Sequence, residues 1–488
     1  MAQARYLLGA PEPEACFTLT FRTNPFQGGF AVCAGIGLVL DFLSDWRFSD
    51  SDLAYLRTLK ARDGSMLFEQ PFLTHLKQLS FSCSIDAVQE GRVVFAGEPI
   101  VRVTGPVSLC QMIETPLLNI INFSTLIATK AARCVLAACG DEVLEFGLRR
   151  AQGPDGGLMA SRAAYVGGVD ATSNTEAGKR YGIPVAGTHA HSWVMSFPDE
   201  LEAFRAYVKT SANNATLLVD TYNTLQGVRH AITVAHEMET DGKKLSGIRI
   251  DSGDLAWLSK RARQMLDDAG LDYVRIVASN SLDEYTVLSL KEQGAAVDAW
   301  GIGTQMVTGG SYSALDGVYK MTAIKDESGR WIPRMKISEQ LVKATLPGMQ
   351  GLRRFYDEQG MMDGDMVYED NLPSSFYSAS LDKEMTMVDP MDITRSKSFG
   401  VGTSYEEMLV SMMDNGLRVD GIEQNDSSDM RTPATLDQAR ERLRADMLRL
   451  DESRKRFLRP HVYPVGIEEG LNAQRIVLMK ELREGVDG

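Results

Sequence analysis

Gly247-Ile248-Arg249-Ile250-Asp251-Ser252-Gly253-Asp254 decides how this chain is read, because a short β-type run ends at once in a tight polar turn and then in a helical stretch over residues 255–269. Gly270 closes that stretch as a helix C-terminal glycine does, since only a residue without Cβ enters the left-handed region freely. Strand, turn and helix in that order make one βα unit. Four more β-type runs flank it, at 183–186, 216–219, 274–278 and 298–302. Their spacing of about 25 to 35 residues is the length of one such unit, which predicts a parallel sheet or barrel from about Ile183 to about Gly303.

In that architecture the residues just after each strand converge on one rim, where active sites are built. Here they are Gly187-Thr188-His189-Ala190-His191, Asp220-Thr221-Tyr222-Asn223, Asp251-Ser252-Gly253-Asp254, Ser279-Asn280-Ser281 and Gly303-Thr304. Each one singly also reads as a polar helix cap, but five in succession carrying His, Asp, Ser and Gly point to a site. Asp251 and Asp254 beside Arg249 suit ribose hydroxyls, or Mg²⁺ shared with phosphates. Gly301-Ile302-Gly303-Thr304 and Thr308-Gly309-Gly310-Ser311 offer backbone N–H groups near a helix start, which favours a phosphate. Ser281-Leu282-Asp283-Glu284 has capping-box spacing, with Gly294 ending its helix. Upstream, Glu145-Phe146-Gly147-Leu148-Arg149-Arg150 sets an aromatic face beside two guanidinium forks, matched to a carboxylate or a phosphate. A planar ring, a carboxylate, a ribose and phosphates are the ligand parts these side chains suit.

The remaining sequence bounds the reading. At 488 residues, 44% of them hydrophobic, the chain is long enough for more than one core. A net charge of −14 argues against nucleic acid or an anionic membrane as the main partner, while leaving room for a small anionic substrate in a local basic pocket. The six cysteines show no CxxC pair, and no basic segment followed by an apolar run opens the chain, so a reducing cytoplasm is expected. The longest apolar stretch, residues 28–40, is too short to span a bilayer and predicts a buried helix. Residues 91–104 alternate like strands around a Gly-Glu-Pro turn, which predicts a β-rich lobe to about residue 115. Leu436, Ala439, Leu443, Met447 and Leu450 predict one long amphipathic helix with its charges in solvent, and residues 424–429 a polar loop before it.

The chain resembles the nicotinate phosphoribosyltransferase family over nearly its whole length. The residues that carry the resemblance are Arg22-Thr23-Asn24-Pro25-Phe26-Gln27-Gly28-Gly29-Phe30, Gly97-Glu98-Pro99-Ile100, 146–156, Gly168-Val169-Asp170-Ala171-Thr172-Ser173-Asn174, 187–193, 250–254, 301–304 and Pro464-Val465-Gly466. The resemblance implies an α/β fold of the type II phosphoribosyltransferase kind, an irregular βα barrel with an α/β-sandwich lobe. The implied boundaries are 1–115 for the lobe, 116–345 for the catalytic barrel and 346–488 for a C-terminal region packing on both. It implies that nicotinate and phosphoribosyl pyrophosphate give nicotinate mononucleotide and pyrophosphate on the salvage route to NAD, coupled to ATP hydrolysis and aided by Mg²⁺. It also implies a cytoplasmic homodimer with sites at the subunit interface.

By the same resemblance His191 accepts phosphate from ATP and forms the catalytic set with Asp220 and Asp251, which position ring and ribose. Phe146 stacks the pyridine, Arg149 contacts nicotinate, and Arg249 with Gly303 and Thr304 receives phosphates. Asp170, Thr188 and Ser279 complete the substrate-binding set, and Arg150 stays open between a ligand contact and a structural ion pair. His189 occupies a place that is usually apolar in relatives and is given no catalytic role. No metal ligands are assigned. One departure is that relatives begin with a segment whose Tyr reaches the pyridine of the neighbouring subunit; this chain opens at Met1-Ala2-Gln3, level with that segment's end, and Tyr6 lies too far along to be assumed its replacement. A nicotinamide-specific transferase and a non-catalytic ligand-binding relative remain the alternatives.

Overall fold

The computed structural model describes residues 1–211, 214–337, 345–370, 384–392, 394–419 and 433–484. The polar segment 424–429 lies outside them. The chain divides into two compact units: Met1–Thr125, Ala314–Gln424 and Arg442–Gly488 form one, and Leu126–Ser313 with Asn425–Glu441 form the other.

In the first unit, sequence-distant strands make a seven-stranded antiparallel sheet in which Glu14–Phe21 lies between Gly317–Lys325 and the central strand Val101–Pro106. A six-stranded mixed sheet carries Gln350–Tyr356, Met362–Glu369 and Val465–Glu468, with Phe355, Met366, Met387 and Phe399 packed as one of its cores. Residues 28–40 are not the single helix expected of them. Ala31–Val32 pair with Val93–Val94, and the helix Ile36–Ser44 begins only after Gly35, which sits at φ +97°. Small residues gave that stretch an apolar run without the propensity to hold one helix. Tyr6 stacks on His75 with ring centroids 4.8 Å apart.

The second unit is built on a six-stranded, all-parallel sheet in the order Ala171–Thr172, Glu142–Glu145, Ala299–Ile302, Arg275–Ser279, Gly247–Ile250, Thr216–Leu218. Its helices start where the sequence signals them. Asn174, Asn223 and Asp254 accept the N–H groups of Ala177, Gln226 and Trp257 and cap the helices Thr175–Tyr181, Thr224–Thr240 and Leu255–Asp268. The Glu284–Glu292 helix is capped by Asp283, not by Ser281. Two strands of this sheet escape the sequence pattern: Glu142–Glu145 is bracketed by charge and Ala171–Thr172 is two residues long. Conversely, 183–186 forms a single bridge, Val185 to Thr172, in place of a strand.

The helix predicted from Leu436 onward runs over Pro433–Arg449. Its charges are not all in solvent: Arg440 and Asp446 are buried. Asp446 accepts from Arg92 at 2.9 Å, and Arg440 donates to the Val169 carbonyl. Among the described residues one helix, Glu114–Ala138, is long and apolar enough to cross a membrane, and 72% of that apolar window is buried.

Candidate active site

Because the six strands are parallel, their C-terminal ends share one edge of the sheet, and every turn there starts from a strand held by its neighbours. Arg249, on the Gly247–Ile250 strand, is the organising cation. Its Nε donates to Ser279 Oγ at 2.7 Å, Nη1 to Thr188 Oγ1 at 2.9 Å and Nη2 to Asp251 Oδ1 at 2.8 Å. Three turns are thereby tied to one planar fork whose geometry admits little slack. The guanidinium carbon also stands 5.5 Å from the centre of the Phe146 ring.

Asp251 takes a second donor, the Ser279 hydroxyl, at 2.5 Å on the same oxygen. Burial opposes its ionisation, but the Ser279 hydroxyl, the Arg249 guanidinium and His191 together hold its carboxyl below the usual carboxylate range. Its free oxygen, Oδ2, lies 3.8 Å from His191 Nε2. Asp220 is fully buried at its side chain; Oδ2 accepts the Asp251 N–H at 3.0 Å and the Ser252 hydroxyl at 2.5 Å. Its Oδ1 receives no hydrogen bond among the described residues and lies 4.0 Å from His191 Nε2. His191 begins the His191–Met195 helix, and its Nδ1 is 3.2 Å from Thr221 Oγ1. Asn280 and Ser281, next on the rim, hold φ of +92° and +52°, a conformation non-glycine residues adopt at a cost of about 1 kcal/mol or more each.

Phe146 is seated by the backbone: its N–H donates to Ile302 O at 2.8 Å, and its ring lies over Gly301, where an added Cβ would come 2.7 Å from ring carbon Cδ2. Gly301 is therefore a glycine because the aromatic ring occupies the space of its side chain. Beneath the turn, the buried Glu145 accepts from Gly147 N–H, from Ser161 Oγ at 2.8 Å and from Thr172 Oγ1 at 2.5 Å. Sequence reasoning missed this carboxylate, because only two apolar residues, Val143 and Leu144, stand between it and Glu142.

The expected site residues do not all gather at one point. His191, Asp220, Asp251, Thr188, Arg249 and Ser279 form a single hydrogen-bonded or near-contact group, and Phe146 adjoins it through Arg249. Arg149 and Arg150 lie exposed on the one-turn helix Leu148–Arg150, and neither makes an ion pair among the described residues. Gly303 and Thr304 open the four-residue helix Thr304–Val307, whose Thr304 carbonyl accepts the Thr308 hydroxyl. Asp254 is used as a helix cap. Asp170 stands at the opposite end of its strand, where its carboxylate accepts the Val143 N–H at 2.9 Å and meets Arg440 at 3.3 Å. His189 is 8% exposed, and burial, with Arg249 and His191 nearby, pushes its imidazole below the ordinary value of 6.5.

The other unit has a cavity of its own, about 630 Å³, edged by Arg22, Lys320, Lys336, Arg395, Lys397 and Arg475, with Asp389 the one carboxylate among its described lining residues. Nothing in the sequence periodicity marked it, since its cations come from five separate stretches of chain.

The chain matches known families along most of its length. Residues 1–122 match the nicotinate phosphoribosyltransferase N-terminal domain, 142–339 the nicotinate phosphoribosyltransferase family, and 350–475 the nicotinate phosphoribosyltransferase C-terminal domain. It is 38% identical to the nicotinate phosphoribosyltransferase of Bacillus subtilis, across 100% of this chain and 94% of that one. The Dictyostelium discoideum nicotinate phosphoribosyltransferase is 39% identical across 76% and 69% of the two chains. Among solved structures, human nicotinic acid phosphoribosyltransferase superposes with a TM-score of 0.82 at 29% identity, covering 98% of each chain. A nicotinate-nucleotide pyrophosphorylase from Pyrococcus furiosus, at TM-score 0.66 and 19% identity over 92% of each chain, shares the fold.

Proposed function

Because this chain belongs to the nicotinate phosphoribosyltransferase family, we propose that it joins nicotinate to the ribose of phosphoribosyl pyrophosphate, releasing nicotinate mononucleotide and pyrophosphate, with ATP hydrolysis coupled through His191. The observation that carries the reading is the Arg249 clamp, which holds an ionised Asp251 and the Thr188 and Ser279 hydroxyls around His191 and Asp220 at the ends of parallel strands.

The chemistry follows from those groups. The pyridine nitrogen forms a bond to the ribose anomeric carbon as the bond from that carbon to the pyrophosphate oxygen breaks, and the electron pair leaves with pyrophosphate. The transition state carries positive charge on the ribose, so placement and electrostatics matter more than a strong base. Asp251, kept ionised with one oxygen free, holds ribose hydroxyls; Phe146 offers its ring to the pyridine; Arg249, Gly303 and Thr304 receive phosphates, and Arg149 the nicotinate carboxylate. Arg150, Asp170, Thr188 and Ser279 belong to the same proposed binding set. Of these, Thr188 and Ser279 act by fixing Arg249 and Asp251, while Asp170 acts through its strand.

Phosphorylation of His191 needs a bare ring nitrogen. The tautomer with its proton on Nδ1 donates to Thr221 Oγ1 and leaves the Nε2 lone pair to attack the terminal phosphorus of ATP, with ADP as leaving group. The phosphorylated ring then adds charge at the rim, which organises the phosphoribosyl donor. Among the described residues no cluster of three or more His, Cys, Asp or Glu could cage a metal ion. Mg²⁺ bound to the substrate phosphates would ease departure of pyrophosphate.

An irregular βα barrel, a homodimer and a cytoplasmic setting are parts of the same reading. The barrel is supported by the parallel sheet, and the dimer by a cationic cavity in the first unit, which a second copy could present to a rim site. The setting is supported by six cysteines that are all free, five of them buried. The test is formation of nicotinate mononucleotide from nicotinate, phosphoribosyl pyrophosphate and Mg²⁺, with and without ATP, with nicotinamide as control substrate. Product that rises with ATP, with His191→Ala keeping only the ATP-independent rate, is expected. Absence of product from the wild-type chain under both conditions rejects the reading.

A further inference from the structure

The parallel sheet of the second unit ends in two edge strands, Ala171–Thr172 and Thr216–Leu218, and one side chain from the segment beside the first reaches the second. Beyond the Ala171–Thr172 edge, residues 184–186 run alongside: Thr172 N–H donates to Pro184 O and Ala186 N–H donates to Thr172 O, both at 3.0 Å. At the other edge, Val219 N–H donates inward to Arg249 O at 3.1 Å, while the Leu218 N–H points outward and needs an acceptor. That acceptor is Nε2 of His189, at 3.1 Å. With Nε2 accepting, the proton is on Nδ1, which faces Ala190 O at 3.4 Å. The ring is wedged edge-on against Tyr207 at 4.7 Å and near Phe204 at 6.1 Å, both on the Glu200–Ser211 helix. The titratable groups that face it are Arg249 and His191, and burial with the Arg249 charge favours the neutral ring.

We propose that His189 is a positioning residue: by accepting the Leu218 N–H it ties the segment leading to His191 onto the strand leading to Asp220, and so sets the spacing of the two. His191 lies two positions after His189 and Asp220 two positions after Leu218, so slack at the link is passed to both. Thr188 anchors the segment to Arg249 only from the neighbouring position. A hydrophobic residue at 189 fills the wedge but leaves the Leu218 N–H buried without a partner, a state that costs free energy and lets water in. The significance of the spacing rests on the proposed role of His191; the link itself does not.

The test uses the full chain and three versions of residue 189. In His189→Leu, the Leu218 amide exchanges with deuterium at least about fivefold faster, because the hydrogen bond that protected it is gone. kcat with ATP falls about tenfold while the KM for nicotinate stays within about twofold, as expected when geometry and not ground-state binding is lost. His189→Gln, whose amide oxygen can replace Nε2, restores both. Unchanged Leu218 exchange in His189→Leu overturns the proposal, as does a Gln variant no better than Leu. In the wild-type protein, nitrogen shifts of labelled histidine must report Nδ1–H and a bare Nε2 at residue 189; the opposite tautomer at neutral pH overturns it whether or not the variants fold. A wild-type chain with no transferase activity defeats the proposed function, while the exchange and tautomer measurements still decide the link.

Discussion

Asp220 Oδ1 lies buried, with no hydrogen-bond donor among the described residues, 4.0 Å from Nε2 of His191, while its other oxygen accepts the Asp251 N–H and the Ser252 hydroxyl. Phosphorylation at Nε2 makes the ring cationic, and an acceptor oxygen in that position stabilises the charge. Asp220→Asn keeps the acceptor for Asp251 and Ser252 but turns an N–H toward Nε2, occupying its lone pair. Transfer of label from ATP to His191 is expected to fall about 10- to 100-fold. Labelling at the wild-type rate would remove Asp220 from that step.

Asp251→Ala removes both the free oxygen and the carboxylate that orients Arg249. Turnover is expected to drop about 100- to 1,000-fold with ATP present or absent, since the proposed reaction places the lost group on the transferred ribose. Initial rates under both conditions decide it; an unchanged rate in each shows that Asp251 does not hold the ribose.

Gly301→Ala places a methyl 2.7 Å from the Phe146 ring. Ring and strand must part, at a stability cost of about 1–3 kcal/mol. The KM for nicotinate rises because the stacking face tilts. A denaturant melt and a nicotinate titration read the two effects separately, and a variant matching wild type in both contradicts the packing argument.

In the first unit, the paired donors of Arg92 at 2.8 Å, acting against burial, pull the Glu406 carboxyl down from 4.5 to about 2. A carboxyl with a lower folded than unfolded value adds stability that is complete above 4.5 and is lost as pH falls toward 2. The Glu406 side chain is 41% exposed, so solvent screening leaves a contribution of about 1 kcal/mol. Glu406→Gln is expected to lower the unfolding free energy from urea melts at pH 7 by that amount and to approach wild type as pH falls through about 2. An equal gap at both pH values would mean that the pair is not what titrates.

If the cations of the first unit serve a partner's rim, activity can be rebuilt from two inactive chains. Arg395→Ala and Asp251→Ala, each inactive alone, are expected to recover about a quarter of wild-type turnover after co-refolding, because half the dimers are mixed and each has one intact site. No recovery, with dimers verified by light scattering, would place Arg395 outside the partner's site.

Much of the site was legible because a βα unit writes itself into consecutive residues. The run Ile248-Arg249-Ile250 and the polar turn after it fell where the strand and its rim lie, as did Asp220 and Ser279. Other parts were not legible for identifiable reasons. Asp254 and Asp251 stand in the same turn with the same chemistry, and only the direction of the following helix commits one to a cap. Glu145 ends a strand too short and too charged to show a period, and Asp446 sits on a helix face that composition alone assigns to solvent.

The sequence by itself determined the βα plan, the helix ends, and which residue types stand at the strand ends, because propensity, capping and hydrophobic period act within one or two turns of chain. The tertiary structure alone decided which of those residues meet. Arg249 joins positions 61 residues apart at Thr188, and His189 answers an N–H 29 residues away. In the first unit, strand Glu14–Phe21 finds its partner near residue 320. Hydrogen bonds of that range depend on how whole elements pack, and local pattern carries no record of it.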